Sequence, residues 1–518
     1  MRKKVLSILL ALAMTVPMAV GCGNQSTEPA SGDSQQTAEE TASEGSAAAP
    51  EEIVVRFACL GTVPADLQQV ADAINEISIP EINVKIDLES VSIANYDNQL
   101  ALDMTSGEQV DLFCSMNFQS MMNAHQLMDI TDYLDQYGKE LVSEVSEDWL
   151  KATSVNGRIY GVPVVNGKAA TTQIVMRKDI LDKYDLHPEY EMAADVTDPV
   201  MTATIEDISH IFSVVKENEP EMTVLYYPVS GNGLSGIVNK DPLDDSIGVL
   251  MGTEGFEVVD LYETDEYMQM LEIVRDWYTA GYIKSDIATD TENEMSYMAA
   301  GRLFATISES EIGTDAQYKN GTGYDWTCIK IKEPYLTSQS LNMMTWAVSS
   351  TSQVPEAAVK FMNLAYTNKD VANMMCYGVK DVHWVLTEEG TVAYPEGVDA
   401  STSGYPSSTY WEMPNSLIAD PLVGNTPDYN ELLRQNNLTA PVSRAMGFSF
   451  DNSSVSSEIA AIYAVVDEYR AGLLGGALDL DENYPRFIQK LKDAGIDTVI
   501  AEKQKQLDAW AQENGVSE

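Results

Sequence analysis

Ala19-Val20-Gly21-Cys22 is the stretch whose residue types and order specify a covalent chemistry. Small residues fit the narrow groove of a signal peptidase, and a cysteine directly after them can be thioether-linked to diacylglycerol before cleavage. The stretch follows Arg2, Lys3 and Lys4 and an apolar run from Val5 to Val16. Charge, then grease, then small residues is the order of a secretion signal, not of a fold element. The four residues have the pattern of a lipobox, with Val20 where Ala or Ser is commoner. On this reading residues 1–21 are a signal peptide, Cys22 is lipidated, and everything beyond it sits on the extracellular face of a membrane, lipid-anchored.

Other motifs fail on inspection. Gly231-Asn232-Gly233-Leu234-Ser235-Gly236 spells G-x-G-x-x-G, but Asn239 and Pro242 interrupt the helix that a nucleotide fingerprint requires; a plain glycine loop is expected. Gly161 to Lys168 has glycines one residue too far apart for a P-loop, and Ala169 replaces its Ser or Thr. Gly447-Phe448-Ser449-Phe450-Asp451 lacks the last glycine of a nucleophile elbow. His125, His187, His210 and His383 are scattered, with no pair at metal-ligand spacing. Asp479-Leu480-Asp481 begins like a calcium loop without the glycine at its sixth position. No catalytic residue, metal or cofactor is assigned, and the chain is not expected to be an enzyme.

Composition narrows the partners. Against 80 Asp and Glu stand 31 Lys and Arg, a formal net charge of −49. Nucleic acid is excluded, because phosphate binding needs clustered cations, and anionic lipid headgroups would repel this surface. Beyond the signal no apolar run approaches the roughly 18 residues of a membrane span. With Cys22 given to lipid, Cys59, Cys114, Cys328 and Cys376 remain. Four cysteines allow three pairings, but their sparse spacing favours buried free thiols. Residues 22–50 lack large apolar side chains and are expected to be a disordered tether, spanning roughly 30 Å root-mean-square.

The elements that follow alternate. Ile53 to Leu60 reads as a buried strand, Leu67 to Ile77 as a helix, and Ile82 to Leu88 as a strand of alternating apolar and polar residues. A helix over about Asn95 to Ser106 ends at Gly107, and Val110 to Met116 is a third strand. This order predicts a parallel α/β sheet, whose ligands lie beyond the strands' carboxyl ends. There Asn117 and Gln119 follow the third strand. Further on, strands are predicted over Thr172–Met176, Thr223–Val229, Leu303–Ile307 and Trp326–Ile331. Helices are predicted over Thr204–Glu217, Tyr267–Ala280, Pro355–Tyr366, Asp370–Tyr377, Ser457–Ala471, Asn483–Lys492 and Thr498–Asn514, with a long loop over 390–430.

RIYGVPV (158–164), VMRKDILDKY (175–184), LYETDEYMQMLEIVRDWYTAGYI (261–283), PEAAVKFMNLAYTNKD (355–370), YGVKDVHWV (377–385), GFSFD (447–451) and AGIDTVIAEKQKQLDAW (494–510) are specific in combination. On these stretches the chain resembles the extracellular solute-binding lipoproteins of ABC transporters, of the carbohydrate-type class and its LipO-like branch common in Gram-positive bacteria. The resemblance covers nearly all of 51–518. It implies a two-lobed, periplasmic-binding-protein-like α/β clamshell of type II. Residues 51–166 plus about 333–366 would build lobe one, and 167–332 plus 367–518 lobe two. It also implies ABC permease subunits as partners, a monomer, and a small-molecule solute, an oligosaccharide, held between closing lobes. A peptide- or signal-binding lipoprotein and a surface-anchored glycan-degrading enzyme are the alternatives.

Sugar rings offer C–H faces for aromatic stacking and hydroxyl rims for polar side chains. Trp384 lies in a turn-like stretch, and Tyr410, Trp411 and Asn415 in a polar loop; all four are candidate contacts, with Asn117 and Gln119. Asn166 and Lys168 sit at the implied crossing between lobes. Glu309 and Ser310 follow a strand where the wider class often places a ligand-facing residue. Phe57-Ala58-Cys59-Leu60-Gly61 departs from the family, which often has an aromatic near this strand end.

Overall fold

The computed structural model describes residues 49–516 apart from 61, 188–189, 193–198, 202–204, 230–237, 254, 291, 293, 312 and 333. The signal peptide, Cys22, the tether up to residue 48 and the glycine loop 231–236 lie outside the described residues.

The first sheet begins with β1 (Glu51–Cys59), α1 (Leu67–Ile82), β2 (Val84–Ser92), α2 (Tyr96–Ser106) and β3 (Leu112–Ser115). β1 is flanked in parallel by β2, from Glu51↔Val84 to Cys59↔Ser92, and by β3 at Val55↔Leu112. Helical spacing puts Val70, Ala71 and Ile74 of α1 onto this sheet, all fully buried. β2 is an edge strand, and edges need cover. Asn75 of α1 supplies it: its amide oxygen accepts from the Ile86 N–H at 2.7 Å and its amide nitrogen donates to the Ile86 carbonyl at 2.9 Å. α2 stops where Gly107 takes φ 81°, a left-handed conformation that glycine adopts without steric cost.

The chain then forms β4 (Val162–Pro163) and crosses to a second sheet. Its strands are β5 (Thr171–Arg177), β6 (Tyr190–Met192), β7 (Pro199–Met201), β8 (Thr223–Leu225), β12 (Leu303–Ser310) and β13 (Trp326–Lys330), in the order β8-β12-β5-β13-β7-β6. A small antiparallel sheet of β9 (Lys240–Asp241), β10 (Gly248–Met251) and β11 (Val259–Asp260) lies between β8 and β12 in sequence. β14 (Thr345–Val348) returns to the first sheet, completing β2-β1-β3-β14-β4. Each sheet has its own core. Phe57, Trp346, Phe361 and Tyr366 belong to the first; Phe212, Trp277, Phe304 and Ile329 to the second. Among the described residues Cys59, Cys114 and Cys376 are buried free thiols.

The second lobe does not extend from 367 to the end of the chain, as the sequence led us to expect. Val371, Met375, Trp384, Tyr405, Met413, Tyr429 and Leu433 join the first core. Only residues from Ala445 onward, including Phe450, Leu473, Phe487 and Leu507, join the second. An amphipathic helix such as Lys369–Tyr377 needs an apolar partner, but its pattern does not say which sheet provides it.

The lobes are therefore joined by three passages, at 166–170, 331–337 and 440–443. Such passages lack ladder partners for their backbone groups. The second and third serve each other: Leu336 N–H donates to the Pro441 carbonyl and Ser443 N–H to the Leu336 carbonyl, both at 2.8 Å. The first is served by the helix Tyr429–Thr439. Asn437 accepts from the Ala169 N–H at 2.9 Å and donates to the Asn166 carbonyl at 2.7 Å, while Asn436 donates to the Ala169 carbonyl at 3.1 Å. Asn437→Ala leaves both backbone groups buried without these partners, and we expect a loss of about 1–3 kcal/mol of stability, read from denaturant unfolding of the purified protein.

Candidate functional site

The carboxyl end of β12 meets the start of β5 and the end of β13 at the crossings. Pairing puts Ser308 beside Gln173 and Gln173 beside Lys330, one rung of three strands. Two residues on, Ser310 pairs with Thr171. Strand side chains alternate faces, so Ser308, Ser310, Gln173, Thr171 and Lys330 make one polar face. Several atoms here are buried without a hydrogen-bond partner: Ser310 Oγ, Gln173 Oε1 and, on the other face, Thr172 Oγ1. Buried polar groups are normally paired, so unpaired acceptors and donors gathered at one strand end point to a ligand.

A cavity of about 350 Å³ lies against this end. Met295, Ser308, Glu309, Ser310, Glu311, Gln317 and Tyr318 line it from the second lobe, and Tyr410 closes it from the first. The Tyr318 hydroxyl lies near Ser308, and that of Tyr410 near Gln317. Tyr410 belongs to the 3-10 helix Ser407–Glu412. On the first-lobe side the residues after β1 and β2 are apolar and solvent-exposed: Leu60, Val63 and Ile93. They follow the ends of two paired strands, Cys59 of β1 lying beside Ser92 of β2.

Beneath the groove lie buried charges. Lys168 is 7% exposed and its amine has no hydrogen-bond partner. Burial lowers this amine to about 8, against the pull of the Cys114 thiol and Glu311. Burial raises Glu311 to about 7, opposed by Lys168, the Gly167 N–H and the Tyr429 hydroxyl. Glu412 is fully buried. One of its oxygens accepts from the Ala58 N–H at 3.0 Å, the other has no partner, and burial raises its pKa to about 8.

The residues singled out from the sequence separate into groups. Glu309, Ser310 and Tyr410 line the cavity, and Lys168 lies beneath it beside Glu311. Asn166 belongs to the first passage, where its amide donates to the Trp411 carbonyl at 2.8 Å. Gln119 ties the lobes together by accepting from Ser449 Oγ at 2.8 Å. Asn117 caps a short helix, accepting from the Ser120 N–H at 3.3 Å. Trp384 and Asn415 are not brought to the groove. Trp384 is core, its indole N–H on the Gly378 carbonyl at 2.9 Å and its ring edge-on to Tyr377 at 6.3 Å. Asn415 spends its side chain on the Tyr366 carbonyl and the Leu417 N–H. Glu311, Gln317, Tyr318, Gln173 and Glu412 escaped the sequence reading. The alternation Ser308-Glu309-Ser310-Glu311 was the available signal for the first of them.

A family model described as bacterial extracellular solute-binding protein matches residues 69–378, and one described as a domain of unknown function matches 444–512. A carbohydrate ABC transporter substrate-binding protein of Streptococcus pneumoniae is 25% identical over 475 residues, covering 88% of this chain and 91% of that protein. Lipoprotein LipO of Bacillus subtilis is 24% identical over 303 residues, covering 56% of this chain and 52% of that protein. Among solved structures, the N-glycan transport solute binding protein of Streptococcus pneumoniae superposes with a TM-score of 0.77 at 22% identity, covering 90% of this chain and 100% of that one.

Glu412 carries a pH signature. A glutamate ordinarily titrates near 4.5. Below that value it is protonated in both folded and unfolded chains. Between there and about 8 only the unfolded chain ionises, so stability falls as pH rises through this window. Glu412→Gln removes that contribution, and its unfolding midpoint should fall less than the wild type's between about pH 5 and about pH 8.

Proposed function

The chain belongs to the bacterial extracellular solute-binding proteins, and from that membership we propose that it captures an oligosaccharide between its lobes and delivers it to ABC permease subunits. The observation that carries this reading is the cavity itself. A polar strand end with unpaired buried oxygens suits a rim of hydroxyls, and Tyr410, reaching across from the other lobe, supplies a ring for a sugar's C–H face. Engagement of both lobes by one ligand favours the closed state, a hinge-type population shift. The similarity to a carbohydrate transporter's binding protein over 88% of the chain supports the same ligand class. Binding without turnover is part of the proposal, as are a monomeric state, a lipid on Cys22 and residence on the outer face of a Gram-positive membrane.

The exposed aliphatic side chains Leu60, Val63 and Ile93, beyond the ends of β1 and β2, favour a second reading, a peptide ligand, since apolar side chains would match them better than sugar hydroxyls.

Calorimetric titration with a glycan panel and a peptide panel decides between them. Heat from glycans alone supports the first reading; a folded protein silent to every glycan sinks it. Tyr410→Ala should weaken the best glycan about tenfold, the equivalent of about 1.4 kcal/mol. Cys22→Ser should move the protein from the membrane fraction to the medium; retention in the membrane would overturn the lipid assignment.

A further inference from the structure

A second cavity, of about 860 Å³, shares no lining residue with the one beside β12. Its volume falls in the range of roughly 300–1,000 Å³ that ligand pockets occupy. Lys151, Ser154 and Asn156 line it from the first lobe, Trp510 and Asn514 of the helix Ile496–Asn514 from the second. Ser443 of the third passage lines it too, as does Ser449, whose hydroxyl donates to Gln119 of the first lobe at 2.8 Å. Within this lining two side chains are left without partners. Indole N–H groups elsewhere in the protein have acceptors: Ser209 for Trp277 at 2.8 Å, Thr322 for Trp326 at 2.9 Å, the Glu412 carbonyl for Trp346 at 2.8 Å and the Gly378 carbonyl for Trp384 at 2.9 Å. The indole N–H of Trp510, a half-buried residue, has none among the described residues. Asn156 and Gly157 take φ 51° and 72° at the tip of the hairpin Ser154–Val155 and Arg158–Ile159, the Asn-Gly sequence that two-residue hairpin turns favour. The turn accounts for the backbone of Asn156 but leaves its side-chain amide unpaired among the described residues.

Taking the ligand class from the carbohydrate reading above, we propose that this cavity is a second carbohydrate site, separate from the one at Tyr410, in which the Trp510 ring packs on the C–H face of a neutral sugar and the Asn156 and Asn514 amides meet its hydroxyls. The cations of the lining are already engaged. Lys151 pairs with Asp148 at 2.6 Å, and Arg444 sits over the Phe256 ring at 5.2 Å. Glu513, also in the lining, disfavours an anion. Asn514 donates to the Trp510 carbonyl at 2.8 Å and keeps its amide oxygen as an acceptor. What remains is an aromatic ring with an indole donor, and amide groups of both kinds. An apolar surface with a few convergent polar groups is what a sugar ring matches. Phe448, edge-on to Trp510 with ring centroids 6.0 Å apart, holds the indole in place. Such a sugar also bears on lobe movement. It touches both lobes and the third passage, so its affinity depends on their arrangement, and it shifts the population toward the arrangement that presents all of these contacts.

The test titrates the mature protein with neutral di- to pentasaccharides of glucose, galactose and mannose, read by calorimetry and by tryptophan fluorescence. We expect a glycan whose binding Trp510→Ala weakens about tenfold, through loss of a stacking face and a hydrogen bond together, and Tyr410→Ala leaves unchanged. Trp510→Phe, which keeps an aromatic ring against Phe448, should weaken it less and remove most of the fluorescence change. Asn156→Gly keeps the positive φ of the turn without strain and should weaken it severalfold. A glycan weakened alike by Tyr410→Ala and Trp510→Ala fills one continuous groove and overturns a separate site. Affinities unchanged in both Trp510→Ala and Asn156→Gly overturn the proposal and leave the carbohydrate reading standing. Binding to no glycan at all overturns both. Melting curves confirm that each variant is folded.

Discussion

Everything in this structure hangs on the three passages between the sheets. A backbone that leaves one sheet and enters another gives up its ladder partners, and the first passage does so in the interior, at Asn166, Lys168 and Ala169, where unpaired N–H and carbonyl groups are costly. The solution is side-chain amide. Asn436 and Asn437 sit side by side at the end of the helix Tyr429–Thr439 and present two donors and an acceptor to Asn166 and Ala169. An amide has both functions in one planar group, which neither a carboxylate nor a lysine can match. The other two passages pair with each other around Leu336. Because the passages hold these positions, the ends of β12, β5 and β13 face the first lobe, and Tyr410 meets the cavity from the opposite side.

The C-terminal segment supports the same region from behind. Between β9 and β10 the loop carries three non-glycine residues at positive φ: Leu243 at 45°, Asp244 at 76° and Ser246 at 58°. Conformations of this kind persist only where the surroundings over-determine them. Lys503, fully buried, donates to the carbonyls of Leu243 and Gly248 at 3.0 Å each and pairs with Asp245. Phe450 N–H donates to Asp244 at 2.9 Å, and Ser443 donates to Asp241. The region matched as a domain of unknown function thus has a visible structural task here: through Phe450 and Lys503 it clamps a strained loop adjoining Lys240, while Ser443, just ahead of it, ties that loop to the third passage.

Buried charge is handled in two ways. Arg56, 5% exposed, is neutralised by Asp103 and Glu89 in ion pairs on the first sheet, which is the arrangement a fold needs to carry charge inside. Lys168, Glu311 and Glu412 are different. Their ionisation is disfavoured by burial, and atoms of Lys168 and Glu412 remain without partners. Polar groups left unsatisfied next to a cavity cost stability in the free protein and make it ready for something else.

Much of the architecture was legible in local pattern. Period two marked β2 and period three to four marked α1, and both follow from side-chain geometry alone. The succession of β1, α1, β2, α2 and β3 required a parallel sheet. What the sequence could not determine was everything that depends on a distant partner. Trp384, in a loop-like stretch, looked available for a ligand, yet Tyr377 and the rest of the first core enclose it. Asn415 looked like a polar rim residue, yet the Tyr366 carbonyl takes its amide. The helix Lys369–Tyr377 showed its apolar face plainly but not which lobe that face would meet, because helical periodicity is set within a few turns while burial is settled by residues hundreds of positions away. Glu412 makes the same point: nothing near it in sequence announces that its carboxylate will meet the Ala58 N–H, 354 residues earlier, inside the protein.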